Sequence, residues 1–145
     1  MSAVIHWHEE AGEWLSPTND LALWLQSIAS GEGKRIVQLD FRLMDDKSLW
    51  ELNKKFLSHD TLTDIITFDH SRGKQLRGEL CLSFERIRQN ASELGIEEEV
   101  EQRRVMVHGL LHLCGYKDKT DAEKRKMRRM EDRALNEWKN VSRGT

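Results

Sequence analysis

At Ser83 the chain changes its period. Before that residue, apolar side chains alternate with polar ones in short runs; after it they recur at helical spacing. The clearest early run is Arg35–Met44, where Val37, Leu39, Phe41 and Leu43 alternate with Gln38, Asp40 and Arg42, the two-residue period of a half-buried strand. Val4–Trp7, Asp64–Asp69 and Glu79–Ser83 are shorter strand candidates, and His70–Gly78 between the last two has the length of a hairpin loop. Two helices interrupt the strands. Ser16-Pro17 reads as an N-cap with proline in the first turn, opening a helix through Leu21, Trp24, Leu25 and Ile28 that closes near Gly31. Asp45-Asp46 breaks the long strand, and Leu49, Leu52 and Phe56 then recur at helical spacing ahead of a polar loop, Ser58–Thr61.

Beyond Ser83 three helices follow. Phe84–Leu94 has Ser83 as cap and Gly95 as stop. Glu97–Leu113 begins with three glutamates, which complement the positive helix terminus, and ends at Gly115. Thr120 and Glu123 form a capping box for a last helix with Met127, Met130, Ala134 and Trp138 on one apolar stripe. The order β-α-β-α-β-β-α-α-α predicts an α+β fold: one domain over residues 1–145, a small mixed sheet of about four strands packed against several helices.

Composition removes several classes of function. At 145 residues, 38% hydrophobic and 33% charged, the chain can bury a core of its own and is neither disordered nor membrane-embedded. Its longest uncharged stretches, Leu21–Gly31 and Val105–Tyr116, fall short of the roughly 20 residues that a spanning helix needs. The N-terminal residues have no signal-peptide pattern, and Cys81 and Cys114 sit singly inside apolar runs, as buried thiols of a reducing cytoplasm do. The net charge of −2 is unevenly divided: Lys117–Thr145 carries ten basic and six acidic residues. That basic stretch reads either as a footprint for phosphate or as a solvated helix face laced with ion pairs.

The chemistry gathers near the end of the second of the late helices. His108 and His112 lie four residues apart, so both imidazoles project from one face and can reach one metal ion. The alternative is two helical histidines, one buried and hydrogen-bonded, the other exposed. The flanking residues Val105, Met106, Val107, Leu110 and Leu111 are apolar, and buried histidines need partners. Gly115 lets the chain turn back, and Asp118 arrives in time to complete a set of two imidazoles and one carboxylate with an open position, the layout of a catalytic metal site. Cys114 is expected to point away from that face. Gly109 stands where a zinc protease of the HExxH type has its glutamate base, which counts against peptide hydrolysis.

The run His108-Gly109-Leu110-Leu111-His112-Leu113-Cys114-Gly115-Tyr116-Lys117-Asp118 resembles the HGxLHLxGYDH signature of the YbeY-type endoribonucleases, the bacterial rRNA maturation factors. Leu52-Asn53-Lys54-Lys55-Phe56 with Thr63-Asp64-Ile65-Ile66-Thr67-Phe68 is similar to that family's LNxxYR…TDVLSFP block, and Gly78–Ser83 to its GDIxIS strand. The resemblance implies an α+β fold and one zinc ion held by three histidines. It also implies metal-dependent cleavage of single-stranded RNA, 3′-end maturation of small-subunit ribosomal RNA, and a part in ribosome quality control beside ribosomal proteins and a ribosome-assembly GTPase.

Carried across, His108 and His112 match the first two ligands. The third histidine is Asp118 here, the aspartate before it is Lys117, the arginine of the first block is Leu57, and the proline closing the second is Asp69. A carboxylate in place of an imidazole lowers the charge of a zinc site and hardens it, admitting Fe(II), Mn(II) or Ni(II) as well as Zn2+. Loss of the arginine removes a phosphate clamp. Lys54, Lys55, His59, Arg72, Lys74 and Arg77 are the nearby replacements, with Lys54, His59 and Arg72 the candidate catalytic helpers.

The expected reaction is phosphodiester hydrolysis by metal-activated water, with His108, His112 and Asp118 as ligands and no residue assigned as base. Lys74, Arg77, Lys124 and Arg128 are expected to track the RNA backbone. The rival expectation is a non-catalytic ribosome-assembly factor with a degenerate metal site; a metalloprotease is the weakest alternative.

Overall fold

The computed structural model describes residues 4–57 and 63–143; His59 and the rest of the loop at 58–62 lie outside them. The described elements are β1 (Ile5–Glu9), α1 (Thr18–Gly31), β2 (Arg35–Met44), α2 (Asp46–Leu57), β3 (Ile65–Asp69), β4 (Gln75–Ser83), α3 (Phe84–Leu94), α4 (Glu98–Leu113) and α5 (Asp121–Arg143). The sheet runs β1-β2-β4-β3, with β2 parallel to both β1 and β4, and β3 antiparallel to β4. It is the mixed four-stranded sheet of an α+β fold, and β3 is an edge.

Alternation along β2 and β4 divides the sheet into two faces. Leu39, Phe41 and Leu43 of β2 and Leu80 and Leu82 of β4 are fully buried on one side, against Leu21, Trp24 and Leu25 of α1 and Met106 and Leu110 of α4. Burying a side chain of this size contributes roughly 1.5–3 kcal/mol, so this layer dominates the stability of the molecule. The opposite face carries a small cluster of Met44, Leu49, Ile66 and Cys81 under α2. A third layer is added by α5: the Trp24 indole donates to the Ala134 carbonyl at 2.8 Å, and its ring meets Trp138 edge-on at 5.5 Å. Met127, Ala134 and Trp138 are buried in that contact and Met130 partly so, as the apolar stripe requires.

Several boundaries differ from the sequence reading, each for a local reason. Ser16 does not cap α1; Pro17 occupies that position without a side-chain bond, and the buried Ser16 hydroxyl accepts from Arg103 at 2.7 Å. The first strand is Ile5–Glu9 rather than Val4–Trp7. The fourth begins at Gln75, not Glu79, because pairing with β2 extends through Arg77 and Gly78 and leaves a tight turn in place of the nine-residue loop. On α2 it is Leu49 and Asn53 that are buried, while Phe56 is 57% exposed. Ser83 caps α3 by accepting from the Arg86 amide, Gly95 closes it at φ 67°, and Thr120 and Glu123 exchange the two bonds of a capping box. Cys81 and Cys114 are both free thiols.

Candidate metal centre

Helix α4 runs through the interior, packed between the sheet, α3, α5 and α1. From Glu101 to Leu113 every residue is buried except Arg104, His108 and His112, which recur four apart as one half-buried stripe. Close approach to the sheet is what permits this. A Cβ at Gly109 would stand 2.5 Å from Leu80 Cδ2 and 2.7 Å from Ile65 Cδ1, so any other residue there would force those two side-chain ends to move. A glutamate at that position would press on the same two side chains.

The helix ends in a Schellman motif: the Gly115 amide bonds to the His112 carbonyl at 3.0 Å and the Tyr116 amide to the Leu111 carbonyl at 3.1 Å. Gly115 takes φ 105°, a conformation that a side chain would resist. This reversal returns Asp118 over the helix end. Asp118 Oδ2 lies 3.3 Å from His108 Nε2 and 3.6 Å from His112 Nε2, and the two Nε2 atoms are 3.0 Å apart. The three side chains expected from the sequence are therefore brought together, and among the described residues they form the one cluster of metal-ligating groups this tight. Cys114 takes no part in it.

The donor set fits a divalent ion. His112 Nδ1 lies 2.9 Å from the Tyr116 carbonyl, to which it can only donate, and His108 Nδ1 lies 2.7 Å from Glu131 Oε2. With both Nδ1 atoms donating, both Nε2 atoms present lone pairs to one point, joined there by a carboxylate oxygen. Ligand atoms about 2.0–2.2 Å from a tetrahedral ion lie about 3.3–3.6 Å from each other, close to the spread of distances seen. The surroundings also favour positive charge. Burial lowers the His108 pKa, but the bond to Glu131 and the charges of Glu131, Asp118 and Asp64 outweigh it and raise the value overall.

Two open cavities meet at this point. One, of about 500 Å³, is walled by Asp64, Glu101 and Arg104 below and by Lys124 and Arg128 of α5 above. The other, of about 430 Å³, lies along β3 and the end of α2, with Leu57, Asn53 and Thr67 in its lining. His108, Asp118 and Asp64 line both. Asp64 is drawn into this position by its carbonyl, which accepts from the Ser83 amide, and by Asn90, which donates to its carboxylate; burial raises its pKa.

Of the basic residues singled out from the sequence, Lys124 and Arg128 line the larger cavity. Lys74 and Arg77 sit at the hairpin end of β4, and Arg72 at the same turn, away from either cavity lining. Lys54 lies on exposed α2 with its ammonium 3.8 Å from the centre of the Trp50 ring. Leu57, where the resemblance implies an arginine, lines the smaller cavity. Glu131 and Arg104 are absent from the sequence-based set. Glu131 is 5% exposed and its second oxygen accepts from Arg104 at 3.1 Å. A signal existed: position 131 falls on the stripe of Met127, Ala134 and Trp138, where a carboxylate is out of place.

Residues 10–139 match the family model described as Endoribonuclease YbeY. A protein named Endoribonuclease YbeY from Flavobacterium psychrophilum is 45% identical over 112 residues, covering 77% of this chain and 80% of the relative. Its namesake from Christiangramia forsetii is 40% identical over 121 residues, covering 83% and 85%. The one from Cytophaga hutchinsonii is 39% identical over 133 residues, covering 91% and 93%. The solution structure of a protein from Thermotoga maritima has a similar fold, with a TM-score of 0.65 at 24% identity over 94% of this chain and 92% of that one.

Proposed function

Given that the chain belongs to the Endoribonuclease YbeY family, we propose that it is a metal-dependent endoribonuclease that hydrolyses phosphodiesters of single-stranded RNA, acting in the cytoplasm on small-subunit ribosomal RNA during 3′-end maturation and quality control. The observation that carries this is the convergence of His108 Nε2, His112 Nε2 and Asp118 Oδ2 at the junction of two open cavities. Bound there, a divalent ion supplies Lewis acidity at a phosphoryl oxygen and makes water a nucleophile near neutral pH. Zinc suits the two imidazoles; the carboxylate of Asp118 also suits Fe(II), Mn(II) or Ni(II).

The chain's own residues do the rest of the work. Lys124 and Arg128 stand at one side of the centre, where they hold phosphate oxygens of the strand without reading its bases. Arg104 adds charge deeper in the same cavity, while Leu57 and Thr67 offer an uncharged wall on the other side. With Arg104, Lys124 and Arg128 as the Lys and Arg side chains lining the two cavities among the described residues, affinity for free RNA is modest and falls with salt. Ribosomal proteins or an assembly GTPase then position the strand.

A second reading, a ribosome-assembly factor without cleavage, draws on Leu57, which puts an aliphatic side chain where the resemblance places a phosphate clamp. Metal analysis of the untagged protein, followed by incubation with a single-stranded RNA with and without chelator, decides between them. Cleavage that requires about one bound ion per chain supports the nuclease; a metal-loaded protein that leaves RNA intact supports the assembly factor.

A further inference from the structure

We infer that Glu131 is a positioning residue of the metal centre, fixing the tautomer and orientation of His108 from outside the ligand set. The inference rests on the metal site proposed above and concerns a residue on a different helix. Glu131 belongs to α5, and its neighbours on the inward stripe, Met127 and Ala134, are buried among apolar side chains. A carboxylate at such a position is costly unless each oxygen has a donor. Here the two oxygens are divided. Oε2 accepts from His108 Nδ1 at 2.7 Å, and Oε1 accepts from Arg104 Nη1 at 3.1 Å. Arg104 is itself flanked by Glu101 at 3.5 Å and Asp132 at 3.1 Å, so its guanidinium is held in place on three sides.

The geometry has a directional consequence. A carboxylate at Nδ1 keeps the proton on that nitrogen and leaves Nε2 as the lone pair that faces His112 and Asp118. His112 obtains the same outcome from a main-chain carbonyl, that of Tyr116. The two ligands are thus oriented by different means, one by the fold of the turn and the other by a side chain that arrives only when α5 docks. The charge of Glu131 also increases the basicity of His108 as a ligand, an effect that a carbonyl gives less strongly.

The test uses the full chain, as wild type, Glu131→Gln, Glu131→Ala and the double variant Glu131→Leu/Arg104→Leu, which removes the Glu131–Arg104 pair as a unit. Co(II) and Zn(II) affinities are measured by chelator competition, and ring 15N shifts of His108 are recorded on metal-free protein at alkaline pH, where the imidazole is neutral. The expected result is a loss of affinity of about 10–100-fold in Glu131→Ala and in the double variant, with a smaller loss in Glu131→Gln, whose amide oxygen still accepts from Nδ1. His108 shifts from the Nδ1–H form to a mixture of tautomers in the variants that lack an acceptor. A folded Glu131→Ala or double variant that keeps wild-type affinity, or keeps His108 wholly in the Nδ1–H form, overturns the inference. A wild type that takes up no metal refutes the metal site instead, and the nitrogen shifts still decide whether Glu131 holds His108.

Discussion

Helices α4 and α5 bury their residues in opposite ways. Around α4 nearly every position is covered, so its few half-buried polar residues form a stripe that belongs to the site. Along α5 most positions face solvent and only a narrow apolar stripe is buried, so charge is common on it. A histidine on the first helix therefore draws notice, while a glutamate on the second passes for one more solvated residue. Function is conspicuous against a buried background and camouflaged against a charged one, and Glu131 shows the second case.

The contrast can be tested by substitution. Replacing Met106 of α4 with alanine removes a fully buried side chain and is expected to cost about 2–5 kcal/mol in denaturant unfolding. The same change at the partly buried Leu135 of α5 should cost less than half as much. Equal costs would mean that the two helices contribute alike to the core. A metal ion at about a thousand times its dissociation constant is expected to stabilise the wild type by about 4 kcal/mol. Asp118→Ala should lose that gain while keeping its metal-free stability, read by thermal unfolding with and without chelator.

Gly109→Ala crowds the Leu80 and Ile65 side chains between α4 and the sheet and is expected to cost about 1–3 kcal/mol. It should also weaken metal binding, because the crowding falls between the two histidines; a variant with native stability and affinity would show that the helix has room to spare. Thr120→Ala removes the cap of α5 and should cost about 1 kcal/mol, read as faster amide exchange in the first turns of that helix alone. The smallest effect is expected from Lys124→Ala and Arg128→Ala, each reducing the salt dependence of RNA binding by about 0.7 in log–log slope. An unchanged slope would remove that residue from the RNA path.

Much of the fold was legible because local signals agreed with tertiary demands. The ends of β2, the Ser83 cap with its Gly95 stop, and the capping box at Thr120 all follow from residues within a few positions of each other. The triad was legible for the same reason: His108, His112 and Asp118 lie within one helix end and one turn. What escaped depends on partners far along the chain. Gln75–Gly78 reads as loop until β2 supplies its ladder, and Ser16 reads as a cap until Arg103 claims its hydroxyl from 87 residues away. Glu131 and Arg104 meet only through the packing of α4 on α5. Lys54 and Arg72 were plausible by proximity in sequence, but α2 and the hairpin turn carry them elsewhere.

The Trp24–Ala134 bond joins residues 110 positions apart. Since a polypeptide is made from its N-terminus, the indole of Trp24 waits for its acceptor until most of the chain has been synthesised. The same order applies to the centre: His108 and His112 are made before α5 can dock and bring Glu131 against His108. A chain that is still growing thus has both histidines before the carboxylate that faces one of them is in place.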